Sequence, residues 1–463
     1  MASNSSYVWA LHELGLANFN DTRLAKRGVL LAASLLEHPQ SSIPQSCGDW
    51  AGTKGAYRFL GNNKVRSNKM LESHQEQLRH RAEGCETALV AQDTCTFNLS
   101  NRQVSGLGSI GDGKDESLQG LFAHTGLAMD TDGLPLGLTS QKIYTRKAET
   151  KTEAYRKTIK NKPISEKETY RWVEAVNQAK AVLPDKKLVI IGDRESDIYE
   201  VFEQGKQIGV DLLVRASQNR KLPSTTKEDP DKLFDVAPKG NVITTYEADI
   251  PIDNHKFRKA LLTIRLTSFS LLPPKSRDRD KVRPSIPLTL LHVSEETPEN
   301  GVEPIKWLLT TSLTVTTPEE AIEKVRWYTY RWRIERFHYI LKTGAFNIEK
   351  LQFESFSRFA KAITLYSLVA IRVLWTVYYE RAHPDQDAQA LFSSSEVEAL
   401  CLREESNSQA LTCHQAVVAL AKIGGYLNRT SDASPGIKAL WIGFQALQYI
   451  VEGIRIGRNH PKV

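Results

Sequence analysis

Between residues 327 and 342 the chain reads WYTYRWRIERFHYILK, and four of its polar residues are spaced for one face of a helix. At 100° per residue from Tyr328, Arg331 falls at about −60°, Glu335 at about −20° and Lys342 at about −40°. A carboxylate set among an arginine, a lysine and a phenol suits a centre that holds a cation and grips phosphates. Tyr330, Ile334, Phe337, Ile340 and Leu341 form an apolar stripe on the other side, which would dock on a core and fix the polar face in place. The same spacing also describes a solvated helix face held by i,i+3 and i,i+4 pairs, and periodicity alone does not separate the two readings. Two further carboxylates bear on the choice. Asp93 interrupts the strand-like run TALVAQDTCTFNL, where an aspartate is disfavoured and costly to bury unless something cationic meets it. Asp193 ends KKLVIIGD, a continuous apolar run of the kind found in strands covered on both faces.

The elements around these residues give them a relation. After the Asp93 strand come LQGLFAHTGLAMD and GLPLGLTSQKIYT, joined by Asp130-Thr131-Asp132-Gly133, which reads as a hairpin turn. A helical stretch, EKETYRWVEAVNQAKAVL, leads into the Asp193 strand, then the helix DIYEVFEQ and the strand VDLLVRAS follow. Three antiparallel-type strands, then helix, strand, helix and strand, is the ribonuclease-H-like order of an α/β layer fold. In that order the first and fourth strands lie side by side, so Asp93 and Asp193 approach each other at the sheet centre. Two carboxylates at such a distance repel unless a divalent cation lies between them, and Mg²⁺ suits an all-oxygen site completed by substrate phosphates. Singly, each aspartate has a simpler reading, Asp93 bonding Thr94 and Thr96 and Asp193 capping a helix. Placed together on these two strands, they favour the metal. A helix starting at Thr317-Pro318-Glu319-Glu320, with threonine as cap and proline at the first turn, returns Glu335 to them as a third carboxylate.

The rest of the chain divides around this core. Residues 1–80 read as a helical domain, with Asp21 capping RLAKRGVLLAASLLEH and with basic patches that include Arg23, Arg27 and Arg58, suited to phosphate-backbone contacts. The core occupies 81–216 and 317–383. Between its parts, 217–316 reads as an inserted β-rich subdomain with two loops rich in charge and proline. Residues 384–463 read as a helical C-terminal domain. A chain of 463 residues with formal charge +7 and pI near 8.9 permits a polyanionic partner without requiring one. Five scattered cysteines, with no C-x-x-C pair, fit reduced thiols and argue against a zinc or disulfide framework. No secretion signal is expected at the N-terminus, and Lys361 and Arg372 make the apolar run Phe359 to Tyr379 a buried helix rather than a membrane span.

The residues on the Glu335 segment carry a resemblance. Tyr328, Arg331, Glu335 and Lys342 fit the signature Y-x2-R-x3-E-x6-K, and with Asp93 in QDT, Asp193 in GDRESDI, GAYRF near the N-terminus and ALAKIGGYLNRTSDASPGIKALWIGFQAL near the C-terminus, the chain resembles the bacterial cut-and-paste DDE transposases of the insertion-sequence IS-four group, Tn-five-like members among them. The likeness covers nearly the whole chain. It departs in the loops of the insertion and in EKETYRW, where the family tends towards EKES. The resemblance implies that Asp93, Asp193 and Glu335 bind two Mg²⁺ ions, with Mn²⁺ as a possible substitute. It implies nicking at transposon ends, hairpin formation, hairpin opening and strand transfer. Tyr328, Arg331 and Lys342 would hold DNA phosphates, Trp307 would stack on a flipped base, and Arg215 matches a nearby strand-end arginine. The implied partners are double-stranded DNA, as transposon inverted-repeat ends and as target, and a second copy of the chain in a synaptic homodimer; no membrane is involved. The implied location is the bacterial cytoplasm, at the nucleoid. A packing or surface role is expected for His338, Trp332 and Arg333. The alternative is a non-cleaving, DNA-binding dimeric relative, domesticated or inhibitory, against which an intact set of three carboxylates argues; a generic Mg²⁺ nuclease is a weaker third reading.

Overall fold

The computed structural model describes residues 5–459 apart from 39–40, 112–116, 147–161, 223–231, 252–256, 275–282, 299–300, 345, 405–409, 430–431 and 433. Much of the two charged loops of the 217–316 segment, and Gln409, lie outside the described residues. The strands β1 (Thr87–Asn98), β2 (Gly108–Ser109), β3 (Gln119–Met129), β4 (Pro135–Tyr144), β5 (Lys187–Gly192), β6 (Asp211–Arg215), β7 (Asn241–Pro251), β8 (Phe257–Leu271), β9 (Ile286–Glu295) and β10 (Lys306–Thr311) join in one sheet. Its order is β2-β3-β1-β5-β6-β10-β9-β8-β7, with β4 also paired to β3. Strand β1 runs antiparallel to β3 and parallel to β5, and β5 runs parallel to β6. The first and fourth long strands of the expected order are therefore neighbours, as a ribonuclease-H-like core requires.

Local chemistry accounts for the connections. At the β3–β4 hairpin, the Asp130 carboxylate accepts from the amides of Asp132 and Leu134, while Gly133 takes φ +82°, a left-handed conformation suited to glycine. The parallel strands need crossovers, and these are the helices Tyr170–Val182 and Tyr199–Ile208. They pack Trp172, Val176 and Phe202 against Leu188, Ile190 and Leu212 on one sheet face. Val189, Ile191 and Leu213 point to the other face, into a core shared with the helices Thr22–Glu37, Trp332–Tyr339 and Phe356–Ala382.

One expectation is made more specific here and one is corrected. The inserted segment is β-rich as expected, and its strands continue the central sheet, because β10 pairs antiparallel with β6 and carries β9, β8 and β7 outward. The helix expected to run unbroken through Tyr328, Arg331, Glu335 and Lys342 is instead a helix Pro318–Thr329, a turn, a helix Trp332–Tyr339 and a π-helical turn Ile340–Gly344. The first piece starts as expected: Thr317 and Glu320 form a reciprocal capping box, with Pro318 in the first turn. The second piece has eight residues, too short to stand alone. Its place is set by fully buried Ile334 and Phe337, and deleting a ring such as Phe337 typically costs about 3–5 kcal/mol.

The helix Phe356–Ala382 is long and apolar enough to cross a membrane by composition, yet 83% of its most apolar window is buried inside the protein. Its charges have internal partners. Lys361 donates to the carbonyls of Leu60 and Asn62 at the C-terminal end of the helix Trp50–Gly61, and Arg372 donates to the carbonyl of Leu391. The N-terminal helices thereby rest directly on the central helix. Beyond it, the helices Ser394–Arg403 and Cys413–Ile423 each begin with a capping box, and Ile437–Asn459 packs over them around Leu420, Leu440 and Leu447.

Candidate active site

Register brings the two aspartates together. The parallel ladder of β1 and β5 pairs Thr87 with Lys187 and ends at Ala91 with Ile191. Extending it by two residues sets Asp93 opposite Asp193. Because side chains alternate, Asp93 shares its face with Leu89, Ala91, Cys95 and Phe97, and Asp193 shares the same face with Val189 and Ile191. The helix Trp332–Tyr339 packs across β1 on that face. It carries Glu335, whose carboxylate meets Arg331, the arginine whose charge also reaches Asp93 and Asp193.

The electrostatics match this placement. Burial raises the Asp193 carboxyl above the ordinary aspartate range, the Glu195 amide pulls it down, and the charge of Asp93 pushes it up again. Burial acts upwards on Asp93 too, but His338, the Thr94 amide and Arg331 outweigh it and hold the carboxyl below its usual range. His338 Nδ1 stands 3.4 Å from Asp93 Oδ2. Arg331 lies between the carboxylates: its guanidinium is 2.7 Å from Glu335 Oε1 and its charge reaches Asp93 and Asp193. Among the described residues no three His, Cys, Asp or Glu side chains form a finished metal cage, and Glu335 is turned onto Arg331. The donor set still fits a hard divalent cation. It is all oxygen, and the burial that lifts Asp193, with the added repulsion from Asp93, is what a cation between the aspartates would offset.

The other residues expected at the site fall on two sides of it. Tyr328 is 4% exposed, so its phenol backs the Arg331 guanidinium, 6.0 Å from the ring centre, instead of facing solvent as a phosphate contact would. The Trp307 ring meets Tyr328 edge-on at 5.9 Å. Trp307 and Arg215 line a cleft of about 580 Å³ together with Arg194 and Lys306, beside the end of β5. Lys342, in the π-helical turn, lies 3.6 Å from Glu349 and near Cys95, two residues beyond Asp93. Arg333 packs between Tyr330 and Tyr378 at 4.1 and 4.3 Å, the structural role expected for it. Trp332 is exposed, with Arg331 over its ring at 5.3 Å. His338 departs from expectation: it is buried against Asp93, not merely packed. On the helical wheel it falls at about −80°, at the edge of the polar stripe, and that position was the available signal.

Arg23, Arg27 and Arg58 are not part of this cluster. With Lys54 they line a second cleft of about 470 Å³ between the helices Thr22–Glu37 and Trp50–Gly61. Asp21 caps the first helix through the Arg23 amide and pairs with the Arg23 side chain at 3.2 Å. Gly55 lets Arg27 lie across the second helix, since a Cβ there would stand 2.7 Å from the guanidinium carbon.

Three family models match the chain: Transposase DNA-binding at residues 6–65, Transposase DDE domain at 139–372, and Transposase Tn5 dimerisation domain at 368–463. The DDE match spans half of the chain and includes Asp193 and Glu335, whereas Asp93 precedes it. The first match contains the basic cleft. The sheet order, the helical ends and these three matches together place the chain in the Tn5-like DDE transposases of the IS-four type, metal-dependent enzymes of DNA phosphoryl transfer with DNA-binding and dimerisation domains.

Proposed function

We propose that the chain performs cut-and-paste transposition, with Asp93, Asp193 and Glu335 as its catalytic carboxylates. The observation that carries this reading is the register that sets Asp93 opposite Asp193 under the helix bearing Glu335. The three would hold two Mg²⁺ ions, or Mn²⁺ in their place, and such a pair supplies activation of the attacking oxygen and charge stabilisation of the leaving one. The remaining work falls to the DNA and to this chain's side chains. Water attacks phosphorus at the transposon end and the 3′ oxygen leaves as a hydroxyl. That hydroxyl attacks the opposite strand, which closes a hairpin and frees the flanking DNA; a second water opens the hairpin, and the 3′-hydroxyl then attacks target DNA. Only the nucleophile changes, so one site serves every step.

Arg331 is suited to link binding to chemistry. Its guanidinium grips Glu335 in the free protein, and a DNA phosphate is an acceptor that can take its place on the same fork. Lys342 would add a point charge to the adjacent phosphates, and Tyr328 would steady Arg331. A hairpin demands sharply bent DNA, and a base turned out of the stack relieves that strain. The cleft of Trp307, Arg215, Arg194 and Lys306 offers one aromatic ring and three cations for such a base and its phosphates. Arg23, Arg27 and Arg58 would hold the transposon end through its backbone. The functional division would follow residues 1–80, 81–216 with 317–383, 217–316 and 384–463. The dimer would be the synaptic one, and the protein would work at the nucleoid.

The test is incubation of the full chain with a duplex carrying its own inverted-repeat end and Mg²⁺. Hairpin-ended products are expected. Retention of the duplex without cleavage would instead identify a non-cleaving relative. Trp307→Ala should slow hairpin formation more than first-strand nicking, by about 5- to 100-fold for the loss of one stacked base. Equal slowing of both steps would remove the stacking role.

A further inference from the structure

We infer that Arg171, which touches neither of the proposed metal-binding carboxylates, fixes the spacing between Asp93 and Asp193 and so sets the affinity of the site for divalent cations. The inference rests on the assignment of those two aspartates to the metal. Each aspartate is held by a backbone amide that follows it: Thr94 N donates to Asp93 Oδ1 at 2.8 Å, and Glu195 N donates to Asp193 Oδ1 at 2.9 Å. Arg171 binds the side chains of those same two residues. Its Nε donates to Thr94 Oγ1 at 3.2 Å and its Nη2 to Glu195 Oε2 at 2.7 Å. One planar guanidinium therefore spans the two segments that present the carboxylates, from the sheet face opposite the Glu335 helix.

The brace is itself anchored. Arg171 Nη1 donates to the Glu168 carbonyl, at the start of its own helix, and its guanidinium lies 5.6 Å from the Trp172 ring centre. With Arg171 donating to the Thr94 hydroxyl, the hydroxyl proton is left for His124 Nδ1 at 2.9 Å. His124 is fully buried, and burial, then the charge of Arg171, push its pKa well below the ordinary histidine range, so its ring is neutral and able to accept. Arg171 is itself 8% exposed on its side chain, and Glu195 is 63% exposed. The Thr94 arm is thus the sheltered one, and the Glu195 arm competes with water.

The β1–β5 register sets which residues face each other, but its last paired rung is Ala91 with Ile191, so the two residues that lead from it to the carboxylates have no ladder bond between β1 and the segment after β5 to hold their spacing. The Arg171 fork supplies that constraint. A lysine has no second donor at a fixed angle and would hold one arm at most. Losing outer partners of metal ligands typically costs about 10- to 100-fold in metal affinity.

The experiment is calorimetric titration of Mn²⁺ into the full chain without DNA, for the wild type and for Asp93→Ala, Arg171→Ala, Thr94→Ser and the double substitution Thr94→Val with Glu195→Ala. Arg171→Ala and the double substitution should both weaken binding by about 10- to 100-fold. Thr94→Ser keeps the hydroxyl and should bind as the wild type does. The loss should reappear as a higher Mn²⁺ requirement for DNA cleavage that added Mn²⁺ largely overcomes, which a general loss of folding would not show. Should Arg171→Ala fail to fold, the double substitution decides alone, since it leaves Arg171 in place and removes both arms. Wild-type affinity in the double substitution, alongside lost binding in Asp93→Ala, would overturn the brace and leave the metal site standing. Wild-type affinity in Asp93→Ala would overturn the metal site itself.

Discussion

The carboxylate centre and the basic N-terminal cleft are both clusters of charge, and they are built on opposite plans. At the centre, Asp93, Asp193, Arg331 and His338 are half-buried or buried, each charge has a named neighbour, and burial acts upwards on both aspartates, winning at Asp193 and outweighed at Asp93. At the cleft, Arg23 keeps 90% of its side chain in solvent, and Arg27, Lys54 and Arg58 border an open groove. Charges in a crowded, weakly polar site interact strongly and depend on geometry, whereas solvated charges add small, screened increments. The first plan suits chemistry at one phosphorus atom. The second suits a grip on a long polyanion.

Exchanging arginine for lysine in each region tests that contrast most sharply. Arg331→Lys keeps the charge but loses the planar guanidinium whose Nη2 meets Glu335, and cleavage should fall by about 100-fold. Arg23→Lys should change transposon-end affinity by less than about threefold, because a phosphate contact from a solvated side chain needs mainly charge. Similar losses in both variants would erase the distinction. A smaller effect is expected from Arg58→Ala, read as the slope of log affinity against log salt concentration. Removal of one phosphate contact should flatten that slope by about 1. An unchanged slope would exclude Arg58 from the DNA footprint.

The smallest effect concerns stability. Asp193 has a folded-state pKa above its ordinary value, so the folded protein holds this proton more tightly than the unfolded chain does. Stability from this group therefore falls as pH rises through that window, and the ionised carboxylate is a cost at neutral pH. Asp193→Asn should slightly raise the melting temperature of the metal-free protein at pH 7. The gain should shrink as the pH drops below the ordinary aspartate range, where Asp193 is neutral in either state. A lower melting temperature for the variant at pH 7 would contradict the cost of holding an ionised Asp193 buried beside Asp93.

Much of this centre was legible in the residues because period-two alternation is strict. An aspartate in an apolar strand and another at the end of a doubly covered strand leave few places for either, and strand order brings them together. Other features had no local signature. The turn between the helices Pro318–Thr329 and Trp332–Tyr339 falls in YTYRW, which contains neither proline nor glycine, so the break reflects tertiary packing. The alternating pattern of β7 to β10 marks strands but not the sheet edge they join, and hydrogen bonding to β6 decided that. His338 and Arg171 act across elements: one reaches Asp93 from the edge of the polar stripe, the other joins residues 77 and 24 positions away in the chain. The chain order of side chains carries little information about such contacts.

The most direct measurement of the central claim is cleavage of the transposon-end duplex, with Mg²⁺, by Asp93→Ala, Asp193→Ala and Glu335→Ala, each checked for folding and end binding. The account predicts that each substitution lowers nicking and hairpin formation by about 1,000-fold or more while the protein still binds the end. Cleavage at the wild-type rate by any one of the three would contradict it.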